Sequence, residues 1–484
     1  MRPLTLLLLV WSAITLALRI ECARAVDFGD AEALYAVYSY FPAPSYLDHP
    51  GLIGQLYAWV GDAPQDVHMA TALFATLLPW LLRAALRFSA HPAADPDRAT
   101  RIALYFSVIP VVGVGMFALT PDWPLAVCVL LGLAFAVRAD NDENRRAAHR
   151  FAAGALIGFS AYGKLSGLAF VVALAVTWLR APTKQRLHAG WLGLVLGLVP
   201  LGKVVSYEAA RGWPMLHHRL APTLASVGRG LGMLTLGQLL YLSPLVALLL
   251  VGFVWQARRR LSPLLWTMLW LPAALLALAG LASPQTEPHW LAPLLLPLAF
   301  AAHADDVWIE QRARLQRWAF GVAAGCTVLV HVWVLVPATT RLWPGDRRSD
   351  IARELFGQTV LRDALLRTVQ ELEATHGVTP VVVGPHWTLC AKLRLALPRG
   401  HYAVGCVNDE RDDFDTWAPD VEKDAPLVVW VTDDRFEPED SVAPFTVPGY
   451  HAISKQRVRV FRGGTTARTF AWRVMQRDAE GSAQ

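Results

Sequence analysis

Asp30 and Glu32 stand two residues apart in Asp27-Phe28-Gly29-Asp30-Ala31-Glu32-Ala33-Leu34-Tyr35, and Asp48 and His49 follow in Tyr46-Leu47-Asp48-His49-Pro50-Gly51. A carboxylate beside an apolar segment is costly to keep charged. It is also suited to take the proton of an attacking hydroxyl. Asp30 ahead of an apolar helical run is equally the pattern of a helix N-cap. Lys164 interrupts an apolar stretch at Tyr162-Gly163-Lys164. A lysine at that depth snorkels or pairs with an anion. A phosphate suits it, because an ammonium offsets charge building on a leaving group; a loop carboxylate would satisfy it too. Asp122 lies between prolines in Thr120-Pro121-Asp122-Trp123-Pro124, a rigid turn that could cap the next helix. Tyr207, Glu208, Arg211, Trp213, His217, His218 and Arg219 share one segment. Its His-His-Arg run could bind phosphate or metal, with at most one of two adjacent helical histidines as a ligand. The alternative is an interfacial turn anchored by Trp213. Glu287-Pro288-His289-Trp290 repeats that style.

The elements that must position these residues are apolar. Of 484 residues 54% are hydrophobic and 17% charged, and mean hydropathy is +0.35. That excludes a soluble multidomain chain, a disordered one and, with five cysteines, a disulfide-rich secreted scaffold. A polytopic membrane protein remains. The net charge of +5 does not point to nucleic acid, because the arginines cluster between apolar runs. Spans of about 20 residues are expected near 4–20, 67–88, 101–119, 124–138, 188–205, 232–254, 264–282, 290–303 and 318–336. The stretch 151–179 is too long for one span. Five basic clusters can share the cytoplasmic side: Arg83/Arg87/Arg98/Arg101, Arg138/Arg145/Arg146/Arg150, Arg180/Lys184/Arg186, Arg258/Arg259/Arg260 and Arg312/Arg314/Arg317. They do so only if 151–179 turns near Lys164 as two short helices. The expectation is about eleven transmembrane helices, N-terminus cytoplasmic and C-terminus outside. A signal peptide cleaved near Ala23-Arg24-Ala25 is the rival reading of the first span.

The candidate residues then fall on outward segments. Beyond them the chain is soluble in composition. Asp350–His376 and His386–Leu397 read as helices, and 378–384, His401–Val407 and Pro426–Thr432 as strands, a small α/β domain. Residues 1–340 are expected to form the membrane domain and 341–484 the soluble one. Cys390 and Cys406 could pair or stay as buried thiols.

In order along the chain, these pieces resemble glycosyltransferase family 39, the protein O-mannosyltransferase-like group that includes bacterial aminoarabinose transferases acting on lipid A. The resemblance rests on Glu32-Ala33-Leu34-Tyr35, Tyr46-Leu47-Asp48-His49-Pro50-Gly51-Leu52, Thr120-Pro121-Asp122-Trp123-Pro124-Leu125, the Gly154 to Lys164 hairpin, Gly237-Gln238-Leu239-Leu240 with Ser243-Pro244, Glu287-Pro288-His289-Trp290, and Asp413-Phe414-Asp415-Thr416-Trp417. Three features depart from it. Ala31 occupies the family's aspartate position, with Asp30 one residue earlier; Gly51 replaces a proline; and the segment after Trp213 is short.

The resemblance implies a GT-C fold, a transmembrane bundle with a periplasmic α/β domain, in a bacterial inner membrane. It implies inverting transfer of a sugar from a polyprenyl-phosphate donor to a hydroxyl on a lipid, glycan or protein. Asp30 would be the base, with Glu32 the alternative and Asp48 a further catalytic carboxylate. Lys164 and Arg219, with Arg211 behind them, would hold the donor phosphate. His49, Asp122, His218, Glu287 and His289 would bind substrate. No cofactor is expected; a divalent ion at Asp48, His49 and His218 is conceivable, but lysine and arginine can supply its charge. A catalytically silent relative and a lipid or sugar transporter are the alternatives.

Overall fold

The computed structural model describes residues 2–90, 95–182, 188–220, 222–305, 312–335, 351–408, 410–437, 449–462 and 465–478. Lys184, Arg186 and the expected boundary at 340/341 lie outside the described residues. The chain divides into two compact units. One comprises Met1–Ile20, Pro44–Ile53 and His68–His331; the other comprises Glu21–Ala43, Gly54–Val67 and Val332–Gln484.

The first unit is helical. Among the described residues six helices are long and apolar enough to cross a membrane: Pro3–Ala25, Pro64–Ser89, Asp122–Asn141, Ala189–Ala210, Pro263–Ala282 and Ala313–Leu335. Counting each of two bent pairs as one span gives eight, against the eleven expected. The chain is a multi-pass helical membrane protein. The difference in count has local causes. The 101–119 run bends by 79° at Pro110. The 232–254 run bends by 111° between Leu242 and Pro244. Proline supplies no N–H to the helix ladder and crowds the preceding turn. The 290–303 run opens as a 3-10 helix, Pro288–Leu294, and continues as Leu295–Ala304. The 151–179 stretch breaks as expected, into Arg146–Gly163 and Gly167–Arg180, and Lys164 is the residue at which the first helix ends.

Leu125, Val129 and Leu133 of the Asp122–Asn141 helix share one core with Ile157, Phe170, Leu174 and Met268. Glycines let the Arg146–Gly163 and Ala189–Ala210 helices approach backbone to backbone. A Cβ on Gly158 would lie 2.7 Å from the Leu194 carbonyl oxygen, and Gly154, Gly193 and Gly197 are as tightly opposed.

The second unit carries a five-stranded sheet in the order β2-β1-β3-β5-β4. β1 (Val381–Gly384), β2 (Val404–Cys406) and β3 (Leu427–Asp433) are the expected strands, and they pair in parallel. Their apolar runs are what a strand covered on both faces requires. β4 (Tyr450–Arg462) and β5 (Thr465–Arg477) form an antiparallel ribbon that the sequence reading did not anticipate. The Gln358–His376 helix buries Leu361, Leu365 and Val369, one face at helical spacing. Trp387–Ala396 packs on the Asp30–Tyr38 helix, which is how residues near the N-terminus join this unit. Cys390 and Cys406 form a disulfide, Cα–Cα 5.8 Å, tying that helix to β2.

Replacing Gly158 by alanine is expected to cost about 1–3 kcal/mol through overpacking, lowering the melting temperature of the detergent-solubilised protein. Gly202→Ala, on the partner helix Ala189–Ala210 but with nothing within 4 Å of its added Cβ, leaves melting unchanged or raises it.

Candidate functional site

The first unit gathers eight of the eleven residues singled out above. Each arrives on a short irregular segment at a helix end. The 44–51 segment closes on itself, the Tyr46 N–H donating to the His49 carbonyl (2.9 Å) and Gly51 N–H to Pro44 (2.8 Å). Glu208 fixes that turn to the next segment: one of its oxygens accepts from Ser45 Oγ at 2.7 Å and the other from Met215 N–H at 2.9 Å. Trp213, at φ 59, reverses the chain into the Pro214–Arg219 helix and so turns His218 and Arg219 toward Asp48.

Arg219 Nη2 lies 2.7 Å from Asp48 Oδ1 and also donates to the Asp48 carbonyl at 3.3 Å. His218 Nε2 lies 3.5 Å from the same carboxylate and 2.8 Å from Gln285 Nε2. Beside this group stands a second. Lys164 Nζ donates to both oxygens of Asp122, at 2.9 and 2.8 Å. His289 Nε2 is 3.7 Å from Asp122, and its Nδ1 is 2.9 Å from Glu287. His49 joins the two: Arg219, Asp48, Lys164 and Asp122 all act on it electrostatically. Glu287 feels both Lys164 and Arg219.

Burial strengthens the fields around His49 and Lys164, the two buried members of the cluster. Burial alone would raise the Asp48 carboxyl, but Arg219 and the hydrogen bond from His218 hold it well below the usual carboxylate range. Burial, reinforced by Arg219, keeps the His49 imidazole neutral far below its ordinary value. The hydrogen bond with His289 draws Glu287 down. The result is two cations, each already neutralised by a carboxylate, among three histidines. Such a site can exchange one anion for another without burying a naked charge.

The other three candidates have different surroundings. Asp122 and Asp30 are each the first residue of a helix, with Pro121 and Gly29 as the N-caps, so neither caps as the turn patterns suggested. Asp30 belongs to the second unit, its carboxylate 2.7 Å from Lys392 Nζ and 2.5 Å from Arg435 Nη1. Burial raises it and these two cations more than offset that, so it stays ionised with a lowered affinity for a proton. Glu32 Oε2 accepts from the Gly29 N–H at 3.3 Å, the return half of a capping box. Arg211 rests on Tyr207, 5.0 Å from the ring centroid, and donates to its hydroxyl.

Two residues of the cluster were not read from the sequence. Gln285 precedes Glu287 by two residues, and Tyr241 lies within electrostatic reach of Glu287 and Asp122. Tyr241 follows the Gly237-Gln238 motif. There Gln238 donates to the Pro288 carbonyl at 2.7 Å, and Pro288 packs where a Gly237 side chain would stand. Among the described residues no group of three or more His, Cys, Asp or Glu could hold a metal ion.

Helical spans and a unit with a small mixed sheet make up a GT-C-type fold, shared over nearly the whole chain with two solved structures. The chain is similar to ArnT from Cupriavidus metallidurans in two crystal structures. One is bound to undecaprenyl phosphate (17% identity, TM-score 0.58, covering 96% of this chain and 97% of that one) and the other is in the apo state (17%, 0.59, 97% and 98%). No protein-family model and no curated protein sequence matches it.

In the second unit, burial and the neighbouring Asp30 push the Glu354 carboxyl up to about 7. The sign follows from linkage: a carboxyl whose pKa rises on folding contributes its full stability below the unfolded value of about 4.5 and loses it as pH climbs through 7. Glu354→Gln is therefore expected to match wild type near pH 4.5 and to melt higher than wild type at pH 8, measured by thermal unfolding of the full chain.

Proposed function

We propose that the chain is a membrane glycosyltransferase that moves a sugar, with inversion, from a polyprenyl-phosphate donor to a hydroxyl on an envelope lipid, glycan or protein, outside a bacterial inner membrane. The observation that carries the reading is the convergence of Lys164 and Arg219 with Asp48, Asp122 and Glu287 in one cluster around the buried His49, on a fold shared over nearly its whole length with an ArnT solved with undecaprenyl phosphate.

In this reading the donor phosphate displaces carboxylates from the two cations. Arg219 offers it a planar fork and Lys164 a compact charge. Asp48 loses its counter-charge as Arg219 turns to the phosphate, and its basicity rises. It then takes the acceptor hydroxyl's proton while the new C–O bond forms, the bond from sugar to phosphate breaks, and polyprenyl phosphate leaves with the electron pair. His49, neutral and buried, and Asp122, His218, Glu287 and His289 orient the sugar and acceptor. We place the base at Asp48 because it shares the cluster with Lys164 and Arg219, the cations proposed to hold the phosphate, whereas Asp30 pairs with Lys392 and Arg435. No metal is needed, since the two cations supply the positive charge.

Ala31 at the family's aspartate position favours one second reading, a catalytically silent relative.

Purified protein given labelled polyprenyl-phosphate sugar and membrane acceptors is expected to transfer the label. Asp48→Asn should lower kcat by roughly 10²–10⁴-fold with donor binding retained, whereas Lys164→Gln and Arg219→Gln should weaken donor binding. Normal turnover by Asp48→Asn removes it as the base. Donor binding without transfer selects the silent relative, and movement of intact donor across the bilayer selects a transporter.

A further inference from the structure

The opposite end of the first unit holds a cavity of about 530 Å³ that the transfer reaction does not use. It is lined by Arg150, Arg180 and Arg258, by Asp140, and by Trp178 and Trp266. Asp140 lies near the end of the 20-residue helix that begins at Asp122. At 1.5 Å per residue the cavity is thus about 30 Å along that helix from the site above, the thickness of a bilayer's hydrocarbon core.

Charge and shape are specific here. Three guanidiniums stand against a single lining carboxylate among the described residues. Arg258 is occupied, stacked 3.5 Å over Trp255 and donating to its carbonyl. Arg150 and Arg180 have no ion-pair or hydrogen-bond partner among the described residues, although Asp140 acts on Arg150 electrostatically. Two uncommitted guanidiniums beside a cavity offer two planar forks for phosphate oxygens. Two tryptophans in the lining supply the amphipathic surface favoured at headgroup depth.

We propose that this cavity is a second lipid site, which binds the phosphate headgroup of an anionic membrane lipid in the leaflet facing the basic clusters. The proposal stands apart from the transfer chemistry, since none of its residues belongs to the cluster around His49. The position favours a lipid over a soluble phosphate: the cavity lies beside the ends of the apolar Asp122–Asn141 and Gly167–Arg180 helices, and Leu261, Pro263 and Leu264 extend its lining with apolar surface.

The full chain in nanodiscs of phosphatidylcholine with a minor fraction of phosphatidylglycerol provides the test. Retained phosphatidylglycerol is counted by native mass spectrometry. Wild type is expected to retain it, and an Arg150→Gln/Arg180→Gln variant to lose retention by about tenfold, as two charge-assisted contacts disappear. Arg150→Lys/Arg180→Lys, which keeps the charge without the forks, should fall between them and guards against misfolding of the glutamine variant. Arg312→Gln/Arg314→Gln, in another basic cluster, should retain lipid like wild type. Equal loss in that control, or unchanged retention in the Arg150/Arg180 variant, overturns the proposal. Displacement of the lipid by millimolar inorganic phosphate overturns it in favour of a soluble-phosphate site.

Discussion

A cation drawn into the interior at the end of an apolar helix must have a counter-charge close by, because the desolvation cost of leaving it alone exceeds what any single packing contact returns. In the first unit Lys164 and Arg219 meet this constraint with Asp122 and Asp48. The consequences spread through the chain. The break after Gly163 exists at the one residue that must reach Asp122. The turn at 44–51 and the reversal at Trp213 are both tied through Glu208, so that Asp48 and Arg219 meet. Backbone-close glycine packing of the Arg146–Gly163 and Ala189–Ala210 helices holds the two supporting frames at a fixed separation.

The second unit solves a similar problem with a longer chain of charges. Asp30 is held by Lys392 and Arg435, and Arg435 in turn by Asp433, which Arg468 also grips. Lys392 is 1% exposed and donates onward to the Glu354 carbonyl at 2.6 Å. Asp30, Lys392, Asp433 and Arg468 are buried, so removing one partner strands another. Glu354 is the weak link: it gains no cation close enough to offset its burial, and its carboxyl stays protonated into the neutral range.

Much of this was legible in the sequence where the signal was local. Apolar runs announced β1 and β3, and Tyr162-Gly163-Lys164 announced the helix break. The convergence of Asp48, Asp122, Lys164, His218 and His289 followed from their common position at helix ends. Prolines at 110 and 244 were visible too, yet the hydropathy of the surrounding runs hid the bends they cause. β4 was missed because Lys455, Gln456, Arg457 and Arg459 make it polar along most of its length. That is the pattern of an edge strand facing water, and it resembles a charged loop. The ion pairs of Asp30 were hidden for a different reason. Its partner Arg435 is 405 residues away, and no local pattern foretells that pairing.

The Cys390–Cys406 bridge and Lys392 sit within one helical turn. A covalent strap closing a loop of 16 residues therefore braces the very turn that presents the ammonium to Asp30. The charge network is thereby linked to the redox state of two thiols: with Cys390 and Cys406 reduced, that ammonium would sit on an unbraced turn.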